Sequence, residues 1–540
     1  MNEFMKIALQ ALTTPQLEMW FAQQLDPSNP RFDSCGYVNI HGSVEVAVFE
    51  RALRQFLDEA EALHVRFVEM PGGPTQEISG PPPLSLERID LSGYADPFQA
   101  ALDAMHADAA GVFDLLAGPL FSHRLFKLDA QRTLWYQRYH HIALDGASIP
   151  LATRRVAAIY SALMQGQPVP PGDFAPLGVP LQSDTAYRQS ARHAGDRDYW
   201  RDYLAALPAA TTLAGGTPDA GGLFRRRSVD LPPAVTEALS AAEAQIGKWP
   251  QLLTAIVAAY MLRVANVRTG VFDFPVTARA KDTRATLGMF ANVVPLKVSM
   301  TADDTLATLT ERVNNEIFKH LKHQHFRGKD IRQMQGASAA PTFGPRINII
   351  PFDNEWGFDG HPGTLHSLSN GLVNDFAVTV LGQPGKPGFA LHVDGNTNLY
   401  DETSVEAHGR RLLHFIERVL ADPQQPISRI DLLGPDERRL LLDTWNATDR
   451  PYPDQACIHQ LVQQQVQLHP DALAIVCGPT SVTYAQLDDR ANQLAHHLLS
   501  LGLSPDARIA LCAQRTPELV VAMLAVSKAG AAYLPLDPES

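Results

Sequence analysis

Leu134-Trp135-Tyr136-Gln137-Arg138-Tyr139-His140-His141-Ile142-Ala143-Leu144-Asp145-Gly146 is the stretch on which the reading of this chain turns. Its first half is aromatic and bulky, which predicts a strand. Beyond it, Ser148, Pro150 and an apolar run to Leu163 closed by Gly166 predict a helix. Ser148 suits the N-cap, Pro150 the first turn and Gly166 the C-terminal stop. The His-His-x-x-x-Asp-Gly quartet therefore falls in a tight strand-to-helix loop. Adjacent side chains on an extended backbone point opposite ways, so only one histidine can face a given site. His141 is the residue assigned to that site, with His140 turned away.

The 540 residues suffice for two to four ordinary domains, and 45% hydrophobic against 19% charged residues predicts sizeable cores. A formal net charge of −13 with no dense Lys/Arg tract argues against nucleic acid as the main partner. No apolar run reaches the length of a membrane span, and residues 1–10 lack a secretory pattern. Cys35, Cys457, Cys477 and Cys512 are scattered without metal-ligand spacing. Reduced thiols and a cytoplasmic location are expected. His323 and His325 alone do not make a metal site, so no metal is expected.

The His140–Gly146 loop resembles the active-site motif of the condensation domains of nonribosomal peptide synthetases, which are chloramphenicol acetyltransferase-like acyltransferases. In that family the second histidine is catalytic and the aspartate organises the loop. Further stretches carry the resemblance from about Leu12 to Leu433. Thr13-Thr14-Pro15-Gln16 through Trp20 is similar to the family's opening helix, with Thr13 or Thr14 as cap and Leu17, Trp20 and Phe21 as its apolar face. Gly288, Phe290, Asn292, Pro295 and Leu296 match a Gly-x-Phe-x-Asn-x-x-Pro-Leu stretch, where Asn292 is expected to anchor backbone. Gly344-Pro345-Arg346-Ile347-Asn348 and Val373-Asn374-Asp375 resemble the opening condensation domain of enterobactin-type synthetases in particular. One departure stands out. The family has Leu-Arg-Thr where this chain has Leu63-His64-Val65-Arg66, and its arginine pairs with the loop aspartate. His64 takes that place and Arg66 shares its strand face, so either is a candidate partner for Asp145, with Arg66 first. A buried, unpaired carboxylate would be costly. Pro71 to Pro83 is predicted to be a Gly/Pro-rich loop.

After Gly434 the style changes. Residues 436–455 read as a short helix and a linker. Ser481-Val482-Thr483-Tyr484-Ala485-Gln486-Leu487 and Lys528-Ala529-Gly530 through Asp537 resemble the beginning of an adenylation domain. That family's phosphate-binding loop and catalytic lysine do not occur before Ser540, so this part is expected to be an N-terminal fragment unable to adenylate; ATP and Mg would concern only the complete domain. The resemblance implies an α/β fold of two acetyltransferase-like lobes, 1–175 and 176–435, in a V-shaped pseudo-dimer. A linker (436–455) and a partial adenylation domain (456–540) follow.

Amide formation needs an amine, an activated acyl group and proton management. A thioester supplies the activation. α-Amino groups titrate near ~7.7–8, so the amine must lose a proton, and an imidazole near ~6.5 can accept it. Such help is typically worth about 10²–10⁴-fold. No Gly-x-Ser-x-Gly elbow is present, and the acyl group arrives already activated. The expected catalytic set is His141, Asp145, Gly146 and His140, supported by Arg66, His64, Ser148 and Asn292. No cofactor is expected on the chain itself; phosphopantetheine belongs to the carrier proteins. Only about ten residues precede Leu12, so the donor is expected in trans, on a carrier protein or coenzyme A, with a downstream carrier domain as acceptor. An epimerization domain, a stand-alone CoA-dependent acyltransferase and a non-catalytic recruitment domain of the same fold are the competing readings.

Overall fold

A computed structural model of the chain describes residues 9–210, 212–216, 223–336 and 342–538. The chain divides into two compact units, residues 1–438 and 439–540.

The larger unit is built on two six-stranded sheets. The first runs, in spatial order, Glu355–Phe358, His361–Asn370, Asp33–His41, Arg132–His140, Phe121–Asp129 and Leu86–Asp90. The aromatic stretch Leu134 to Tyr139 is thus a central strand, as its composition predicts. Helices Val46–Glu59 and Ser148–Met164 bring Phe49, Leu53, Phe56, Val156, Ile159 and Tyr160 into one core. Helix Pro97–Ala109 packs Ala101 and Met105 against Phe126, Leu134 and Tyr136 in another. Each such fully buried side chain is worth about 1.5–3 kcal/mol of transfer free energy.

The second sheet runs Asn292–Ser299, Thr269–Val276, Arg346–Ile350, Phe376–Leu381, Ala390–Asn396 and Phe224–Asp230. Helix Trp249–Val264 lies in its core, with every residue from Leu252 to Leu262 buried. That is why its sequence is apolar all round rather than on one stripe. The halves are not closed on themselves. The hairpin Glu355–Phe358/His361–Asn370 comes from the second half of the chain and completes the first sheet, with Thr364 opposite Asn39 and Asn370 opposite Ser34.

Local expectations hold for the opening helix, Thr14–Leu25, which Thr13 caps in a capping box with Gln16, with Pro15 in its first turn. Gly166 ends helix Ser148–Met164 at φ +64°. Three expectations do not hold. Phe21 is exposed rather than part of the buried face. The Pro71–Pro83 stretch contains strand Gly73–Ile78, paired with Val65–Met70, because its middle (Thr75-Gln76-Glu77) is extended and Gly73 at φ +117° makes the turn. Ser148 is the first helical residue and not the cap.

In the smaller unit, hairpin Leu473–Cys477/Thr480–Thr483 precedes helix Tyr484–Ser500, which Thr483 caps. Strands Arg508–Cys512 and Ala532–Leu536 pair in parallel through helix Pro517–Lys528. Lys528 is held by Asp488 and Asn492. Among the described residues no helix is long and apolar enough to cross a membrane.

Candidate active site

Strand Arg132–His140 ends where the loop begins, and the two histidines part company as alternation requires. His140 is fully buried. Its Nδ1 accepts the Ile142 N–H at 3.1 Å, so the ring proton sits on Nε2, which donates to Gln23 Oε1 at 3.2 Å. Burial, with His141 and Arg138 nearby, pushes its pKa down to about 3. It is a neutral strut of the loop with both ring nitrogens committed.

His141 is held by its backbone N–H to Phe32 O, 2.8 Å. The residue as a whole is half-buried. Nε2 lies 3.4 Å from Ser34 Oγ, and Nδ1 is shielded and makes no hydrogen bond of normal geometry. Burial lowers the imidazole below its ordinary pKa. The Asp145 carboxylate and the Leu144 backbone pull it up, and Arg346 pushes it further down.

Asp145 is fully buried and accepts five hydrogen bonds. Oδ1 takes the Ser148 N–H (2.9 Å), the Ser148 hydroxyl (2.8 Å) and Arg279 Nη2 (2.7 Å). Oδ2 takes the backbone N–H groups of Phe290 and Ala291, both at 3.2 Å. The expected partners are therefore corrected. Arg66 is exposed on strand Val65–Met70 while Val65 and Phe67 turn inward. His64 hydrogen-bonds the Leu57 carbonyl at 2.5 Å. The cation is Arg279, which also donates to Ser148 Oγ (2.8 Å) and to the carbonyls of Thr283 and Thr286, and lies over the Phe290 ring. Ser148 does support the site, through its hydroxyl: it reaches Asp145 Oδ1 and Gly288 O, and accepts the Gly288 N–H at 3.2 Å.

Loop 277–291, from the second half, thus closes over a loop of the first. Asn292 anchors its far end: Nδ2 donates to Gln324 O and Phe326 O, each 2.8 Å, and Oδ1 accepts Gly328 N–H at 2.9 Å. Arg327 ties the Phe290 and Ala291 carbonyls to Glu18 of the opening helix. Gly146 is exposed, and a Cβ there would meet nothing within 4 Å. The fold itself does not demand this glycine; the space before it is open. Arg279, Gln23, Ser34 and Glu18 were not singled out from the sequence. Only Arg279 left a signal, an arginine set among alanines in Ala278-Arg279-Ala280.

Residues 7–442 match the condensation domain family, and residues 462–540 match AMP-binding enzymes. The chain belongs to the condensation domain family, whose members in nonribosomal peptide synthetases are acyltransferases that form amide bonds. It is 36% identical over 534 residues to a dimodular nonribosomal peptide synthase of Bacillus subtilis and 35% identical over 533 residues to an isonitrile lipopeptide synthase of Streptomyces coeruleorubidus. Over 538 residues it is 30% identical to enterobactin synthase component F of Escherichia coli. These alignments take in 97–98% of the chain but only 22%, 36% and 41% of the respective relatives, so it spans less than half the length of each. Among solved structures, a mutant starter condensation domain of rhizomide synthetase in complex with C8-CoA is 35% identical, with a TM-score of 0.74, over 79% of this chain and 98% of that one. The first condensation domain of the calcium-dependent antibiotic synthetase, in complex with a substrate analogue, is 32% identical with a TM-score of 0.75, over 79% and 99%.

Proposed function

We propose that the unit formed by residues 1–438 joins a thioester-bound acyl or aryl donor to the amine of an aminoacyl thioester on a carrier protein. The amine attacks the thioester carbonyl, the new C–N bond forms, and the C–S bond breaks to release a thiol. His141 takes the amine proton on Nε2 and passes it to the departing sulfur. The observation that carries this reading is the contrast within the loop: His140 is fully buried with both ring nitrogens committed, whereas His141 is half-buried and has Nε2 beside Ser34 Oγ at 3.4 Å. The Asp145 carboxylate raises the proton affinity of the ring against the larger effect of burial, and Nε2 faces Ser34 Oγ at 3.4 Å. Burial keeps the ring neutral near pH 7, as a proton acceptor must be. The open space before Gly146 leaves room for a substrate arm.

Likeness to a starter condensation domain in complex with C8-CoA supports a donor delivered by coenzyme A or by a separate carrier protein, over a peptidyl donor. A cytoplasmic location belongs to the same reading. The test offers acyl-CoA, aryl-loaded carrier protein and peptidyl carrier protein in turn, with an aminoacyl carrier as acceptor, and follows amide product by mass spectrometry. His141→Ala is expected to lower turnover by about 10²–10⁴-fold. Near-normal turnover by that variant would remove His141 from its role, and consumption of the peptidyl donor alone would make this an elongation domain.

A further inference from the structure

We propose that Arg346 selects a substrate carrying a carboxylate close to the bond being formed. This rests on the reading of His141 given above and adds the substrate class. Arg346 opens strand Arg346–Ile350, opposite Ala377 on one side and Asp273 on the other. Alternation sends Ile347 into the core and leaves Arg346 on the other face, its side chain 18% exposed. Nη1 donates to Leu372 O at 2.7 Å. Leu372 lies two residues beyond Asn370, which pairs with Ser34, whose hydroxyl faces His141 Nε2. The guanidinium is therefore moored two residues from the strand end that meets Ser34, on the way to the candidate catalytic imidazole, and its charge reaches that ring.

Arg346 shares a buried, unpartnered Nε with Arg279, but Arg279 commits its Nη2 to Asp145 and Ser148, whereas on Arg346 the whole Nε/Nη2 edge is unfilled among the described residues. Nε and Nη2 form the side-on fork that takes the two oxygens of a carboxylate. Arg138 fills that fork with Asp33, Arg155 with Glu59, Arg226 with Asp394 and Arg327 with Glu18, at 2.6–3.0 Å. On Arg346 the buried Nε has no partner among the described residues. Its Nη2 has only Asp273 Oδ2, at 3.7 Å, beyond hydrogen-bond reach. Asp273 offsets the charge from a distance, and its Oδ1 is occupied by the Phe343 N–H at 2.9 Å. A buried fork lacking its acceptor is costly unless a ligand supplies one. In the Gly344-Pro345-Arg346-Ile347-Asn348 stretch this residue stands at a position the family resemblance does not prescribe, as a specificity determinant would.

The carboxylate could sit on the acceptor side chain or on the donor acyl group. The experiment measures kcat/KM for two matched pairs on the full chain: aspartyl against asparaginyl thioester of N-acetylcysteamine as acceptor, and succinyl-CoA against its terminal amide as donor. Wild type is expected to prefer the carboxylate member of one pair, and that pair names the source. In Arg346→Gln, which keeps a donor for Leu372 O, the preference is expected to fall about tenfold to a hundredfold. Arg346→Lys should keep part of it, as a charge without the fork. A preference ratio within one protein does not depend on how much of it is folded. Equal ratios in wild type and Arg346→Gln on both arms would overturn the proposal while leaving amide formation standing. Absence of amide from every pairing would overturn both readings.

Discussion

The carboxylate of Asp145 is fully buried and held by five donors, and it is worth most as a test of what the loop is for. Removing it leaves Arg279 buried without its counter-ion, which typically costs about 3–5 kcal/mol. Asp145→Ala is thus expected to lower the denaturation midpoint sharply, and Arg279→Ala to match it; an Asp145→Ala protein as stable as wild type would show the pair to be dispensable. Gly146→Val should do the opposite, leaving the unfolding midpoint in place because nothing stands within 4 Å of the new Cβ, while turnover is expected to fall because the side chain occupies the open space in front of position 146. Parallel melting curves and product assays separate the two. His140, His141, Asp145 and Gly146 were legible in the sequence because they are neighbours in one loop, where alternation along a strand sorts the two rings. Arg279 was not, since its contact with Asp145 spans 134 residues and no local pattern encodes a partner that far away.

At the level of elements, the site depends on how tightly the segment after loop 277–291 can be drawn against its neighbours. Gly328 sits so close to strand Asn292–Ser299 that an added Cβ would lie 2.1 Å from Val293 O, a backbone atom that cannot step aside. Gly328→Ala is therefore expected to push the Asn292 anchor and Arg327 outward. A drop in activity larger than the drop in stability would show the loop to be a functional element, read by comparing kcat/KM with the urea midpoint. The helices and central strands announced themselves through caps, period and β-branched or aromatic runs. Strand Gly73–Ile78 did not, because it opens on Gly73 and Pro74 and carries Glu77, and its pairing with Val65–Met70 overrides those preferences.

For the whole molecule, the buried histidines make a joint prediction. Burial pushes His123, His140 and His392 down to about 3, and His320 and His408 to about 4. Each is neutral when folded and takes up a proton on unfolding below about pH 6.5, so stability is level above that pH and falls as pH drops toward 4, by about 1.4 kcal/mol per pH unit per group. Asp33 and Asp375, raised by burial to about 7 and about 6, work the other way over part of this range but are outnumbered. Urea midpoints at pH 7.5 and 5.5 should show a clear loss at the lower value, and equal midpoints would contradict it. The crossing of hairpin Glu355–Phe358/His361–Asn370 into the first sheet has a consequence in time. Ser369 meets Asp33 across 336 residues of chain, so during synthesis at about 5–20 residues per second strand Asp33–His41 waits roughly 20–70 s for its neighbour. Throughout that interval it is a bare sheet edge, the kind of surface on which nascent chains join one another instead of themselves.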